Sequence, residues 1–408
     1  MKTLINGQAI SDNPPFTPKA SRVLLVVGFL WGDEGILRGL VTLTKKLKQQ
    51  GWEVAIASSM EDREDLERFT RGPRWLQSQG IQHFYVPFPN WRISGKGKFL
   101  RAFQALLTFS AVVREFKPDL INIHSLSLTP YAKLMKLSYN VPYVATARIE
   151  PASNRLGVKV GAFINQYLQT FFGSRFIAIS SEVKEAYATT LKIPRENIRL
   201  ICHGIESDYF RPPSLPERLE ARNTFNLASE AKVVSLIGRL HPVKGHSVLV
   251  RALAILRSQG MDVIALCAGA GDHQEESSIT QQATELGVLD LVKLLGFSEP
   301  RQVLWASDVL ALPSHLEGFP WVIPEAMLCG VVSVRTPTAG TRDQIEDGVN
   351  GFVVPFDDAE ALAWRLKQLL ENETLRTQMA TAALESARQK FTVEKMVADT
   401  ISVFQEVI

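Results

Sequence analysis

The 408-residue sequence contains only three cysteines, Cys202, Cys267 and Cys329. They lie far apart in apolar surroundings without metal-ligand spacing, so neither a disulfide framework nor a zinc site is expected, and buried thiols in a reducing compartment are. Long apolar runs are lacking as well. The longest early one, Val23 to Leu30, is too short to span a bilayer and suits a buried strand. Met1 to Ala20 carries polar residues and Pro14-Pro15 where an export signal needs an apolar centre. A cytoplasmic protein is expected, soluble or peripheral on the inner face of the membrane. No motif for binding RNA or DNA is found, so a nucleic-acid partner is not expected. The stretch Val263-Ile-Ala-Leu-Cys-Ala-Gly-Ala-Gly-Asp272 has Gln274 where Gly-x-Gly-x-x-Gly needs its third glycine, so a hydride-transfer dinucleotide site is not supported. No Asp-x-Asp with a nearby histidine occurs, which argues against a diphosphate held through a metal ion.

What is there is ordinary in bulk. Hydrophobic residues make up 46% and charged ones 21%, as in a soluble globular protein. The length suits two domains, each with a full core. The net charge of +3 conceals a division. Residues 1–200 hold 27 Lys and Arg against 15 Asp and Glu, a net +12, and residues 201–408 hold 18 against 27, a net −9. Such asymmetry points the first half towards an anionic partner: a membrane surface, a lipid-linked glycan or polyphosphate.

Along the first half, short apolar runs alternate with amphipathic stretches. Strands are expected over Arg22–Gly28, Glu53–Ala57, His83–Pro87, Asp119–His124, Pro142–Ala147 and Arg175–Ile179. Helical periodicity marks Ile36–Gln50 and Phe99–Phe116. Alternation of this kind predicts a parallel, doubly wound sheet whose ligands sit at the carboxyl ends of the strands. Three such ends are candidates: the loop Phe29–Gly35, where Gly32 and Gly35 let backbone approach a phosphate; His124; and Arg148. Between Trp91 and Lys117, Arg92, Lys96, Lys98 and Arg101 cluster beside Trp91, Phe99 and Phe103, a pattern that can dock on anionic headgroups. The competing reading is a solvated loop entering a helix whose Leu106, Leu107, Val112 and Val113 face the sheet.

A boundary falls near Cys202–Pro213, where Arg211-Pro-Pro-Ser-Leu-Pro216 breaks helix and strand alike. The expected division is an extension over residues 1–20, domains over 21–205 and 206–392, and a terminal helix over 393–408. The alternation restarts at Val233–Ile237, followed at once by Gly238-Arg-Leu-His-Pro-Val-Lys-Gly245. There Arg239 ends a strand and Lys244 opens a helix, so two cations can converge as a diphosphate clamp. The chain then centres on Glu317-Gly-Phe-Pro-Trp-Val-Ile-Pro-Glu325, read as strand Val309–Leu312, a loop, and a helix from about Trp321 to Leu328. Free N–H groups and the positive dipole end at that helix start favour anions. Two carboxylates eight positions apart can grip separate diols of one ligand. Pro324 is tolerable only in the helix's first turn.

The Glu317 to Glu325 stretch resembles the Glu-x7-Glu signature of the family 4 retaining glycosyltransferases, which have the two-Rossmann-domain GT-B fold: α/β, with two doubly wound parallel sheets facing a cleft. The resemblance implies that Glu317 approaches the hexose of a sugar nucleotide and that Glu325 holds the ribose hydroxyls. Gly318, Phe319, Pro320 and Trp321 would lie against the donor. Arg239 and Lys244 would bind the diphosphate and stabilise charge on the leaving group. Gly269 would lie beside the nucleotide and Phe297 near the base. Ile201-Cys-His-Gly-Ile-Glu206 is similar to the family's inter-domain stretch, with His203 in place of Asn and Gly204 as the matching glycine. Ala339-Gly340-Thr341 resembles a family Gly-Gly-x turn, and the terminal helix, Met396 to Ile408, would cross back to the first domain.

Two departures bear on substrates. The family's Gly-Gly pair after the first strand is replaced by separated Gly32 and Gly35 around Asp33-Glu34. Arg148 stands where the family carries a histidine that reaches the donor sugar near C6. An arginine fork can pair bidentately with a carboxylate, so an acidic donor sugar is one expectation and pairing with Glu150 the other. The resemblance implies transfer with retention to a hydroxyl acceptor, with no cofactor beyond the nucleotide diphosphate sugar and no metal. Two other classes share the architecture: a sugar-nucleotide 2-epimerase and a non-catalytic sugar-nucleotide-binding subunit.

Overall fold

The computed structural model describes residues 21–28, 34–60, 73–89, 96–148, 175–271 and 273–408, with the side chains of 34, 96–98 and 126 excepted. Gly32, Trp91, Arg92 and Glu150 lie outside the described residues.

Two all-parallel sheets carry the fold. The first has seven strands: β1 (Arg22–Val26), β2 (Glu53–Ser58), β3 (Gln82–Tyr85), β4 (Leu120–Ile123), β5 (Tyr143–Ala147), β6 (Arg175–Ala178) and β7 (Ile198–Leu200). Their order across the sheet is β3-β2-β1-β4-β5-β6-β7. The second has six: β8 (Lys232–Ile237), β9 (Val263–Ala268), β10 (Val292–Gly296), β11 (Val309–Leu312), β12 (Val332–Arg335) and β13 (Gly351–Val353), in the order β10-β9-β8-β11-β12-β13. The two orders are the same Rossmann-like winding. Central strands are buried on both faces, so β11, and β1 after Arg22, read as unbroken apolar runs rather than alternating ones, while β4 buries Asn122 among its apolar residues.

Six of the seven strands of the first sheet match expected runs. The seventh, β7, was not foreseen: it is three residues long and exposes Arg199 and Leu200 at the sheet edge. In each sheet the winding reverses between the first and fourth strands, β1/β4 and β8/β11, which opens a crevice at their carboxyl ends.

The chain crosses between the sheets twice, and the crossings touch. Ile205 N–H donates to Phe391 O at 2.8 Å, and Val393 N–H returns to Ile205 O at 3.3 Å. A Cβ on Gly204 would stand 2.6 Å from Cα of Val393, so only glycine allows the approach. The helix Val393–Gln405 then packs back on the first sheet's side. Val393, Met396, Val397, Val403 and Phe404 share one core with Leu25, Leu40 and Ile56, and Lys46 pairs with Glu394 at 3.0 Å.

Candidate functional site

The second sheet's switch point places the central motif. After β8, Gly238 and Arg239 lead into a tight turn over Pro242–Lys244, capped when Val243 N–H donates to Nδ1 of His241 at 3.2 Å. Gly245 follows in the left-handed region, φ 76°, where a Cβ would lie 2.1 Å from Pro313 O. This turn is therefore pressed onto the end of β11, and His315 N–H bonds Val243 O at 2.8 Å. Lys244 lays its stem over Gly238, and its Nζ donates to Oε1 of Glu317 at 2.7 Å, both side chains mostly shielded. Arg239 stands exposed beside them with no partner among the described residues. Two cations and one carboxylate thus gather where β8 and β11 part.

Gly269, at φ 152°, is required by packing: a Cβ there would lie 2.0 Å from Gly238 O. That glycine brings the end of β9 against the end of β8, a structural reason separate from contact with a nucleotide. Phe297 is exposed just past β10. In the motif itself, Phe319 is buried and Trp321 partly so. The helix Val322–Leu328 takes Pro324 at its third position, inside the first turn as expected.

Glu325 is 2% exposed. Burial pushes its carboxyl above the usual range, opposed by the neighbouring Arg38 guanidinium. Arg38, on the helix Glu34–Gln49 of the first sheet's side, donates from Nη1 to Oε1 of Glu325 at 2.6 Å. Arg38 was missed in the sequence, where it reads as one more polar residue of an amphipathic helix. The signal available was its neighbour Gly39, since a mid-helix glycine costs about 1 kcal/mol against alanine and calls for a packing reason. Trp321 supplies one, with Cζ2 only 2.8 Å from where a Cβ would be.

The first sheet's switch point brings the other candidates together. Arg148 donates from Nη2 to Nδ1 of His124 at 2.9 Å and from Nη1 to Nε2 of His203 at 3.4 Å. His203 stacks on Trp321, centroids 4.6 Å apart, and meets Phe319 edge-on. Burial first, then the Arg148 charge, drives both imidazoles well below their ordinary pKa, so both are neutral acceptors. Arg148 thus bridges two histidines, a role neither of the two expectations for it contained. Gly35 lies in the first turn of the helix Glu34–Gln49. The three thiols are held protonated by burial, with Cys267 pushed up to about 12; Cys267 and Cys329 are buried and Cys202 intermediate.

Two further groups went unread. Arg335, at the end of β12, is fully buried and donates to Gln344 Oε1, to Thr338 Oγ1 at 2.6 Å, and to the carbonyls of Thr336 and Ala339. Across the cleft, Asp343 accepts from Ser181 N–H at 2.7 Å and from Ser181 Oγ, while Glu182 accepts from the N–H groups of Gly340 at 2.9 Å and Arg342 at 3.1 Å.

Two Rossmann-like domains, with cations and acids where the second domain meets the helix Glu34–Gln49 and the crossing segment, make up the GT-B fold. The chain belongs to the family 4, group 1 glycosyltransferases: "Glycosyltransferase Family 4" matches residues 34–209 and "Glycosyl transferases group 1" residues 217–386. A D-inositol 3-phosphate glycosyltransferase of Corynebacterium aurimucosum is 31% identical over 201 residues, 48% of this chain and 48% of its own length. The chain therefore spans about half the length of the curated relatives of this kind that it matches. A glycosyltransferase from Rickettsia africae superimposes with a TM-score of 0.81 at 20% identity, covering 95% of this chain and 98% of that one. HepE of Anabaena in complex with UDP superimposes with 0.80 at 21%, covering 94% and 100%.

Proposed function

We propose that the protein is a retaining, metal-independent glycosyltransferase that moves a hexose-type sugar from a nucleotide diphosphate sugar to a hydroxyl acceptor. The observation that carries this reading is the Lys244–Glu317 pair beside exposed Arg239, which has no partner among the described residues, at the crevice where a parallel sheet binds its ligand. Lys244 and Arg239 would take the diphosphate. Glu317, its charge balanced by Lys244, would meet the hexose hydroxyls, and Glu325 the ribose diol. The two cations answer the diphosphate charge, so the chemistry asks for no metal ion.

In the reaction, the bond from the anomeric carbon to the diphosphate oxygen loosens first. That oxygen then takes the proton of the incoming hydroxyl on the same face as the new glycosidic bond forms, so configuration is retained. Arg239 and Lys244 stabilise charge growing on the diphosphate. The protein's share is positioning and shielding from water in the closed cleft. We also assign the basic first half a role in meeting an anionic lipid surface, supported by the exposed apolar residues Phe99, Leu100 and Phe103 on the helix Lys96–Phe116.

Thermal shift across a panel of nucleotide sugars, neutral and acidic, with and without EDTA, tests the donor. One sugar nucleotide should raise the melting temperature by mass action, equally in EDTA. Arg239→Ala and Glu317→Ala should each lower transfer by at least about a hundredfold with little change in melting temperature. Normal transfer by either variant would overturn the site assignment, and binding without any turnover would point to a binding subunit.

A further inference from the structure

The helix Glu34–Gln49 belongs to the first sheet's side, yet two successive residues on it fit the second domain's motif. Arg38 bonds Glu325 and lies over the rings of Phe210 and Trp321, 5.2 and 5.4 Å from their centroids. Gly39 leaves the space that the Trp321 ring occupies. Trp321 is also held by its stack on His203 of the crossing segment. Glu325 makes no other side-chain hydrogen bond among the described residues, so its buried carboxylate depends on a guanidinium that reaches it across the cleft. A carboxylate accepts from ribose hydroxyls well only while ionised, and one buried without a cation takes up a proton instead.

We propose that Arg38 is a positioning residue of the donor site: it holds the Glu325 carboxylate ionised and oriented, so that the ribose pocket is complete only when the two domains are closed on each other. This rests on the reading of Glu325 as the ribose ligand. Arg38 takes one oxygen of the carboxylate and leaves the other for the ligand. Gly39 sets how closely the helix can approach, and therefore whether the bond can form. Donor binding and domain closure are then one equilibrium, and a ligand that engages Glu325 favours the closed state by its differential affinity.

The test uses the full chain with UDP, GDP and ADP and the 2′,3′-dideoxy form of each, measured by titration calorimetry. Wild type should prefer the ribose form of its nucleotide by about tenfold or more, since the dideoxy ligand leaves a buried carboxylate unsatisfied. Arg38→Met should shrink that preference below about threefold, and Arg38→Lys should retain most of it. Gly39→Ala keeps the guanidinium but wedges the helix off Trp321, and should behave like Arg38→Met. In steady state, Arg38→Met should raise the donor KM while leaving the acceptor KM unchanged. The Arg38→Met, Glu325→Gln double variant, which removes both charges, should melt no lower than wild type and still fail to discriminate, separating recognition from folding. Ribose preference in Arg38→Met equal to that of wild type overturns the proposal alone. Failure of wild type to bind any of the three nucleotides overturns the donor-site reading together with it.

Discussion

At the scale of single residues, the Glu317–Glu325 stretch and the residues gathered near it show which chemistry is visible in a sequence. Glu317, Glu325, Arg239 and Lys244 are charged residues beside strand ends and glycines, and it is the family motif they resemble together, not any one of them, that singles them out. Arg38 and Arg335 carry as much of the site's geometry, yet their partners are set by three-dimensional packing. Arg335 is the stronger lesson, because a charged residue at the end of a strand gives no sign in the sequence that it is fully buried. Burial pushes its guanidinium down to about 10, against the opposing pull of Glu317 and Glu182. Its donors fasten the loop Thr336–Thr341, whose Gly340 lies against Phe319, and its partner Gln344 in turn donates to Pro320 O at 3.0 Å. Arg335→Met relieves a buried charge but orphans several buried acceptors. The net loss should be about 2 kcal/mol, read by denaturant unfolding, with transfer falling further than stability because the motif loses its support. Unchanged donor KM in that variant would show that the loop does not position the site.

At the scale of elements, the strand and helix order was legible because buried parallel strands and amphipathic helices leave opposite periodicities. The short edge strand β7 escaped, since three residues with two exposed side chains carry no period. The contacts between domains escaped for another reason: their partners lie far apart in sequence, as Arg38 and Glu325 do and Ser181 and Asp343 do. The histidine cluster was likewise hidden, joining the ends of β4 and β5 to the crossing segment through Arg148. Its pH behaviour follows from sign. His124 and His203 have folded pKa values well below 6.5, so below that pH the unfolded chain binds protons that the folded one refuses. Their contribution is present above about pH 6.5 and lost as pH falls towards the folded values. The melting temperature should therefore drop between about pH 7 and pH 5, and His203→Gln should flatten the slope. A slope unchanged by that variant would place the proton uptake elsewhere.

At the scale of the whole molecule, the division of charge is the feature that composition alone made visible, and the structure adds a surface to it. No helix among the described residues is long and apolar enough to cross a membrane. The helix Lys96–Phe116 nevertheless holds Phe99 81% exposed, with Leu100, Phe103 and Leu107 also exposed. Leu107 was expected to face the sheet; it turns outward, while Val112 and Val113 pack inward. The adjoining helix Thr129–Tyr139 adds exposed Leu134 and Leu137. Residues 91–140 carry eight Lys and Arg against two Asp and Glu. Exposed apolar side chains in a stretch of sequence rich in cations suit an anionic bilayer, because apolar chains enter the acyl boundary while cations stay at the headgroups. A water-soluble acceptor would require neither. The chain should therefore co-sediment with vesicles containing phosphatidylglycerol and much less with pure phosphatidylcholine, and binding should weaken as salt screens the headgroups. Phe99→Ser with Phe103→Ser should lower the partition coefficient by at least about tenfold without changing the melting temperature. Equal partition of wild type and the double variant, or equal binding to both kinds of vesicle, would detach this face from the membrane and leave the positive half to a soluble anionic acceptor.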